Sequence, residues 1–319
     1  FSAILLLVAV AAGFQQVQKG YHETVGIPEA KRIEAAENEI LTRQLRDDRI
    51  VGGAIAPTNA HPYLAGLVIS LVNIAGNSVC GSSLLTANRL VTAAHCWFDG
   101  RNQAWQFVVV MGSQYLFSGG TRIATTNVIM HPQWNSDTLG NDVAMIYLPT
   151  NVFFTSNIQP IALPTGPDLF ETFAGQWSTA AGYGRTSDAQ AGVTVNTMIS
   201  QVNVQVITVA QCQGVFGPVF VQSSTLCTNG AGGVGICGGD SGGPLVVNRN
   251  GMPTLVSTLQ SKHLAGKKRQ KQKIKISHGL TFPTLITNSL HTYLFLLKNW
   301  PSACGDVRGR GPTNRVVNY

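Results

Sequence analysis

From Ile50 onward the chain runs in short stretches of β-branched and aromatic residues broken by Gly, Asn, Ser and Pro. The clearest are "YLAGLVISLV" (63–72), "WQFVVVMGS" (105–113), "TNVIMH" (126–131) and "NTMISQVNVQVI" (196–207). β-Branched side chains suit the extended backbone and pack well on a pleated surface. Short strands with turn residues between them predict an all-β barrel or sandwich. Two segments break this texture. Residues 21–49 are highly charged and helix-prone after Pro28, with Ile33, Ile40 and Leu41 forming a narrow apolar stripe on a segment too short to make a domain. Beyond Gln260 the chain turns basic in "SKHLAGKKRQKQKIKISHGL" and then mixed in "TFPTLITNSLHTYLFLLKNW". Pro283, Asn288, His291 and Lys298 argue against a membrane helix there.

The chain opens "FSAILLLVAVAAGF", an apolar run from Ala3 to Ala12 followed by small residues. It has the texture of a secretory signal without an initiating Met or a basic leader, and is read as a truncated signal over residues 1–13. The run is well short of the roughly 20 residues a bilayer requires. Six cysteines form an even set, which suggests disulfides in an oxidising compartment. No C-x-x-C pair occurs, so a zinc site is a poor alternative. The net charge of +7 is unevenly spread: residues 261–319 carry 11 of the 22 Lys and Arg but one of the 15 acids, Asp306. The basic character belongs to the tail, and nucleic-acid binding is not expected.

Three motifs carry candidate chemistry, in this order: "VTAAHC" (91–96), "GNDVAMIYL" (140–148) and "GDSGGP" (239–244). A serine hydroxyl is a poor nucleophile until an adjacent base takes its proton. Histidine can do this near neutral pH when a buried carboxylate fixes its tautomer and stabilises the imidazolium. Singly, His95 reads as a structural histidine and Asp142 as a turn acid; with the serine motif they read as a triad. Asp137 in "NSDT" is the competing acid. His61 and His131, each next to a proline, read as packing residues.

With these motifs the chain resembles the trypsin/chymotrypsin family of secreted serine proteases from Arg49 to about Val256, beginning at "RIVGG". The resemblance implies two packed six-stranded antiparallel β-barrels, over residues 50–160 and 161–260. It implies His95 as general base, Asp142 as its orienting partner and Ser241 as nucleophile, with the backbone N–H groups of Gly239 and Ser241 as the oxyanion hole. It makes residues 14–49 an activation propeptide, cut between Arg49 and Ile50 so that the new Ile50 ammonium reaches Asp240. The implied disulfides are Cys80–Cys96, Cys212–Cys227 and Cys237–Cys304; six cysteines alone allow 15 pairings. No cofactor or metal is required. The implied partners are protein or peptide substrates, a trypsin-like activating protease and proteinaceous inhibitors, with no nucleic acid or membrane, acting on a monomer.

The family sets preference for the residue before the cleaved bond with the position six before the serine, here Gly235. With no carboxylate there, a Lys or Arg side chain would be buried unpaired, which favours a large apolar or aromatic residue. The resemblance weakens next to it. Where the family has Ser-aromatic-Gly the chain has Gln260-Ser261-Lys262, and residues 261–319 read as an aberrant basic insertion followed by a remnant of the last strands. Two explanations stand: a genuine surface insertion binding a polyanion, or an intron read in frame. A catalytically impaired homologue acting by binding is the alternative to an active enzyme. Residues 50–261 contain five Arg and no Lys. Arginine keeps its charge at alkaline pH where lysine begins to lose it. That bias, together with "YHETVGIPEA", is similar to secreted chymotrypsin-like digestive enzymes of lepidopteran midgut and implies a gut lumen.

Overall fold

A strand that is apolar on both faces must be covered on both, and β1 (Leu64–Leu71) is such a strand. In the computed structural model, which describes residues 19–44, 59–184, 199–230, 235–260 and 274–278, Ala65, Leu67, Ile69 and Leu71 face one apolar cluster. Leu64 and Val68, on the opposite face, join another. The two-residue period assigns the faces. β2 (Ile74–Thr86), β3 (Arg89–Thr92), β4 (Ala104–Met111), β5 (Thr121–Thr125), β6 (Val128–Met130) and β7 (Ala144–Tyr147) complete the first sheet.

Its order is β5-β4-β1-β2-β3-β7-β6, seven strands joined antiparallel. The sheet's two edges, β5 and β6, are consecutive in the chain, separated only by Thr126 and Asn127. They are two halves of one bent strand, one pairing β4 and the other β7. The bend brings edge to edge and closes the sheet, so the seven segments make the six-stranded barrel of the expected fold. Phe107, Leu67, Leu84, Leu90 and Ile146 fill it.

The second sheet contains β8 (Trp177–Gly182), β9 (Ser200–Ile207), β10 (Thr225–Asn229), β11 (Pro244–Arg249), β12 (Met252–Thr258) and β13 (Ile274–His278), in the order β12-β11-β8-β9-β10-β13. Val202, Val204 and Val206 of β9 sit on its inner side with Phe173, Leu226, Leu245 and Val256. β13 comes from the basic stretch beyond Gln260 and pairs along all of β10, from Thr225 against His278 to Asn229 against Ile274. Edge pairing uses backbone N–H and C=O groups, which a lysine-rich stretch supplies as well as any other. Between the sheets lies a separate apolar cluster, in which Val91, Val143 and Met145 of the first barrel meet Val246 and Leu255 of the second.

Ahead of both barrels, a π-helical turn (His22–Gly26) runs into α1 (Ile27–Gln44), with Pro28 at the junction, where the ring supplies no N–H to the ladder. A second helix, α2 (Val209–Phe216), is opened by a capping box between Thr208 and Gln211. Cys212 on it is joined to Cys227 on β10.

Candidate active site

His95 lies in a 3-10 turn (Ala94–Cys96) directly after β3. The turn is tied to the barrel by the Cys80–Cys96 disulfide, from β2. Asp142 lies just before β7, the strand paired with β3, so neighbouring strands deliver both residues to one place. The Asp142 carboxylate accepts from the His95 backbone N–H at 2.6 Å, and its other oxygen meets His95 Nδ1 at 2.6 Å. Both side chains are fully buried. The pairing makes Nδ1 the protonated nitrogen of the neutral ring and leaves Nε2 as its basic one.

Ser241 arrives from the second barrel, in the loop before β11, and is fully buried. The loop is clamped onto the first barrel: Gly81 N–H donates to the Ser241 carbonyl at 2.6 Å, and Thr92 Oγ1 donates to the Gly81 carbonyl at 2.8 Å. Gly239 has φ of 99° and Gly242 has φ of 80°, a region that L side chains rarely adopt. A Cβ at Gly242 would lie 2.2 Å from Thr92 Oγ1 and 2.5 Å from the Gly81 carbonyl oxygen. The glycines of the motif therefore provide both the turn and the close approach of the two barrels.

Asp240 precedes the serine in the loop. Its carboxylate accepts from Gly184 N–H at 2.8 Å and Cys237 N–H at 2.9 Å. Arg49 and Ile50, the expected cleavage point, lie outside the described residues, as does Cys304; Cys237 is disulfide-bonded. Gly235 begins a described segment, and the Ile236 beside it is buried in the second core. Beyond Gln260 the described residues are those of β13 alone.

The other residues singled out in the sequence sit elsewhere. Asp137 is exposed and paired with Lys19 at 2.6 Å. His61 bridges Tyr63 Oη at 3.1 Å and Gln201 Oε1 at 2.5 Å, and its burial pushes its pKa below the ordinary 6.5. A groove of about 730 Å³ lined by His61, Tyr63, Trp177 and Gln201 contains none of the three triad residues.

Two residues at this site were not singled out for it in the sequence. Gln260, nearly fully buried two residues beyond β12, donates from Nε2 to the Asp142 carboxylate. It is a third donor to a carboxylate that already accepts two. Tyr21, from the leader ahead of the barrels, packs edge-on against His95 with ring centroids 4.6 Å apart. Its hydroxyl donates to the Val79 carbonyl at 3.0 Å. Burial pushes the Tyr21 pKa well above its ordinary value, opposed by hydrogen bonds from the Ser241 side chain and the Gly239 backbone.

A hydrogen-bonded His–Asp pair and a serine in a Gly-Asp-Ser-Gly-Gly turn, held between two antiparallel barrels, invite comparison with known proteases. A family model described as trypsin matches residues 50–278. The chain belongs to the trypsin family. It is 37% identical to a collagenase of Hypoderma lineatum over 206 residues, 64% of this chain and 74% of that protein. It is 35% identical to brachyurin of Leptuca pugilator, covering 64% of this chain and 83% of that one. Serine protease 1 of Drosophila melanogaster is 32% identical, over 63% of this chain and 71% of its own length. The solved structure of HL collagenase superposes with a TM-score of 0.61 at 32% identity, covering 72% of this chain and 93% of that chain. These names carry likeness to the trypsin family and not to lepidopteran midgut chymotrypsins in particular. As a trypsin-family chain it is a serine endopeptidase. No helix among the described residues is long and apolar enough to cross a membrane.

Proposed function

We propose that the chain is a secreted digestive endopeptidase, made as a zymogen and cut between Arg49 and Ile50, that cleaves after large apolar or aromatic residues. The observation that carries the reading is the Asp142 carboxylate bonded to both His95 N–H and Nδ1, which leaves Nε2 as the base. Ser241 attacks the peptide carbonyl as His95 takes its proton, and the carbonyl oxygen becomes an oxyanion. The amine leaves with the proton returned by His95, and water, deprotonated in turn by His95, releases the acyl group. The N–H groups of Gly239 and Ser241 receive the oxyanion, a contribution of about 3–4 kcal/mol per donor in well-studied cases. The new Ile50 ammonium pairs with Asp240, which draws the loop into its working shape.

Gly235 supports the apolar preference, since it offers no carboxylate to a buried Lys or Arg. The lysine-free stretch from 50 to 261 supports an alkaline gut lumen. The test is hydrolysis of peptide amides with Phe, Leu, Ala or Arg before the cleaved bond, by protein nicked at Arg49 and separated from its leader. Phe and Leu are expected to exceed Arg by at least about tenfold in kcat/KM. A preference for Arg would overturn the argument from Gly235. A folded, nicked protein that cleaves none of them would leave the impaired homologue acting by binding.

A further inference from the structure

The leader ahead of the barrels is packed as an integral element. Gly20, Tyr21, His22, Gly26, Glu29, Ala30, Ile33, Ala36, Glu37 and Ile40 are all buried, one continuous stripe along the π-helical turn and α1. A stripe recurring every three to four residues is a helix face turned onto a surface. That surface is the outer face of the first barrel: Ala30 and Ile33 pack with Leu64, Val68, Val79, Val110 and Leu116. Without the leader these apolar side chains would form an exposed patch of the kind that marks a docking site. Glu37 fixes the far end, accepting from the N–H groups of Leu116 and Phe117. His22 fixes the near end, donating its N–H to Asp99 Oδ2 at 2.9 Å, with Nδ1 2.8 Å from Ser78 Oγ.

Between these anchors the leader lies on the catalytic loop. A Cβ built at Gly238 would be 2.9 Å from Val25 Cγ1, and one at Gly239 would be 3.9 Å from Glu29 Cβ. The Tyr21 hydroxyl is fixed to the Val79 carbonyl at 3.0 Å, and the Ser241 side chain and the Gly239 backbone are near enough to oppose the rise that burial imposes on its pKa. The ring occupies the side of His95. A peptide carbonyl and Tyr21 cannot share this place.

We propose that residues 19–44 are a dissociable inhibitor, with Tyr21 as the plug and the outer face of β2 and its neighbours β1 and β4 as its docking surface, so that activation requires release of the leader as well as cleavage. The proposal rests on the zymogen reading and deepens it. While the leader is tethered through residues 45–58, its effective concentration is on the order of millimolar, and modest affinity keeps the cleft shut. Cleavage at Arg49 turns the same contact into a bimolecular one, and dilution then opens the cleft. The surface accepts an amphipathic helix headed by an aromatic hydroxyl, in trans as well as in cis.

The experiment uses the full chain with residues 45–49 exchanged for an enteropeptidase site. After nicking, activity on a peptide amide is read before and after gel filtration, then again with synthetic peptide 19–44 added back. The expected result is at least a tenfold gain on removing the peptide, reversed by adding it. Carrying Tyr21→Ala, the peptide is expected to inhibit at least about tenfold more weakly, as loss of a buried aromatic anchor does. Fluorescein-labelled 19–44 is titrated onto the separated protein by anisotropy, a readout that needs no catalysis. Peptide binding to a protein that cleaves nothing would support the docking and sink the protease reading alone. Full activity on nicking with no gain on separation, or no anisotropy change at micromolar protein, would overturn the inhibitor. Equal binding by the Tyr21→Ala peptide would overturn the plug. Loss of the far-UV circular dichroism signal on removing the peptide would make the leader a structural strut and overturn the proposal.

Discussion

Gln260 offers a direct test of how the triad is held. Asp142 accepts from three donors: His95 N–H and Nδ1, each at 2.6 Å, and Gln260 Nε2. Gln260→Met keeps the side chain's length and removes the donor, so the change leaves no large cavity. A hydrogen bond to a charged group contributes about 1.5–3 kcal/mol. Lost from a carboxylate that must hold the imidazole in one orientation, it lowers kcat by about 10- to 150-fold at roughly 1.4 kcal/mol per decade. Gln260 touches no reacting atom, so KM is expected to stay within about threefold. Gln260→Glu is expected to be worse, because it sets two carboxylates side by side in a buried site, where both cannot ionise. The assay is kcat and KM on a peptide amide, on protein nicked and freed of its leader, with thermal unfolding as the control for folding. A Gln260→Met enzyme whose kcat stays within about threefold of the parent refutes the positioning role. So does a loss carried wholly by KM.

Two further outcomes follow from the geometry. Replacing Cys80 and Cys96 together by Ala opens a loop with a sequence separation of 16 residues, which is expected to cost about 3 kcal/mol in a urea titration; a loss under about 1 kcal/mol would count against a stabilising role. Glu37 gives the leader's docking a pH dependence: burial pushes its carboxyl above the ordinary 4.5, opposed by the Leu116 and Phe117 N–H groups and by Arg122, with Tyr183 the other ionisable group facing it. Docking therefore takes up a proton at Glu37, so the contribution of this group to the affinity for peptide 19–44 is fully present below pH 4.5 and is lost as pH rises through the docked pKa. Glu37→Gln is expected to flatten that window in the anisotropy assay, and affinity that rises with pH across it would refute the assignment.

The barrels were readable because their signals are local. "YLAGLVISLV" and "WQFVVVMGS" became β1 and β4, and "NTMISQVNVQVI" contributed β9, since β-branched runs bounded by turn residues need little tertiary help. Even the cover on β1 was implicit, as its outward residues Leu64 and Val68 are as apolar as its inward ones. The leader's docking was not readable, although its helix was. Its buried stripe includes Glu29 and Glu37, which in a sequence look like a solvated face; what buries Glu37 is a pair of N–H groups from Leu116 and Phe117, far away in the chain. β13 was hidden for a related reason, because "IKISH" sits in a lysine-rich run and its pairing with β10 is made by backbone alone. Gln260 drew notice as a departure from the family's serine, but nothing local shows that its amide reaches Asp142.

His95 and Asp142 belong to one barrel and Ser241 to the other. No fold within either barrel sets the distance between them; that is done by the seam of Val91, Val143, Met145, Val246 and Leu255, and by the bond from Gly81 to Ser241. Each barrel can keep its own strands while a slip along the seam parts the serine from the histidine. Turnover is thus a gauge of how two half-molecules are seated on each other, and residues far from any substrate set its reading.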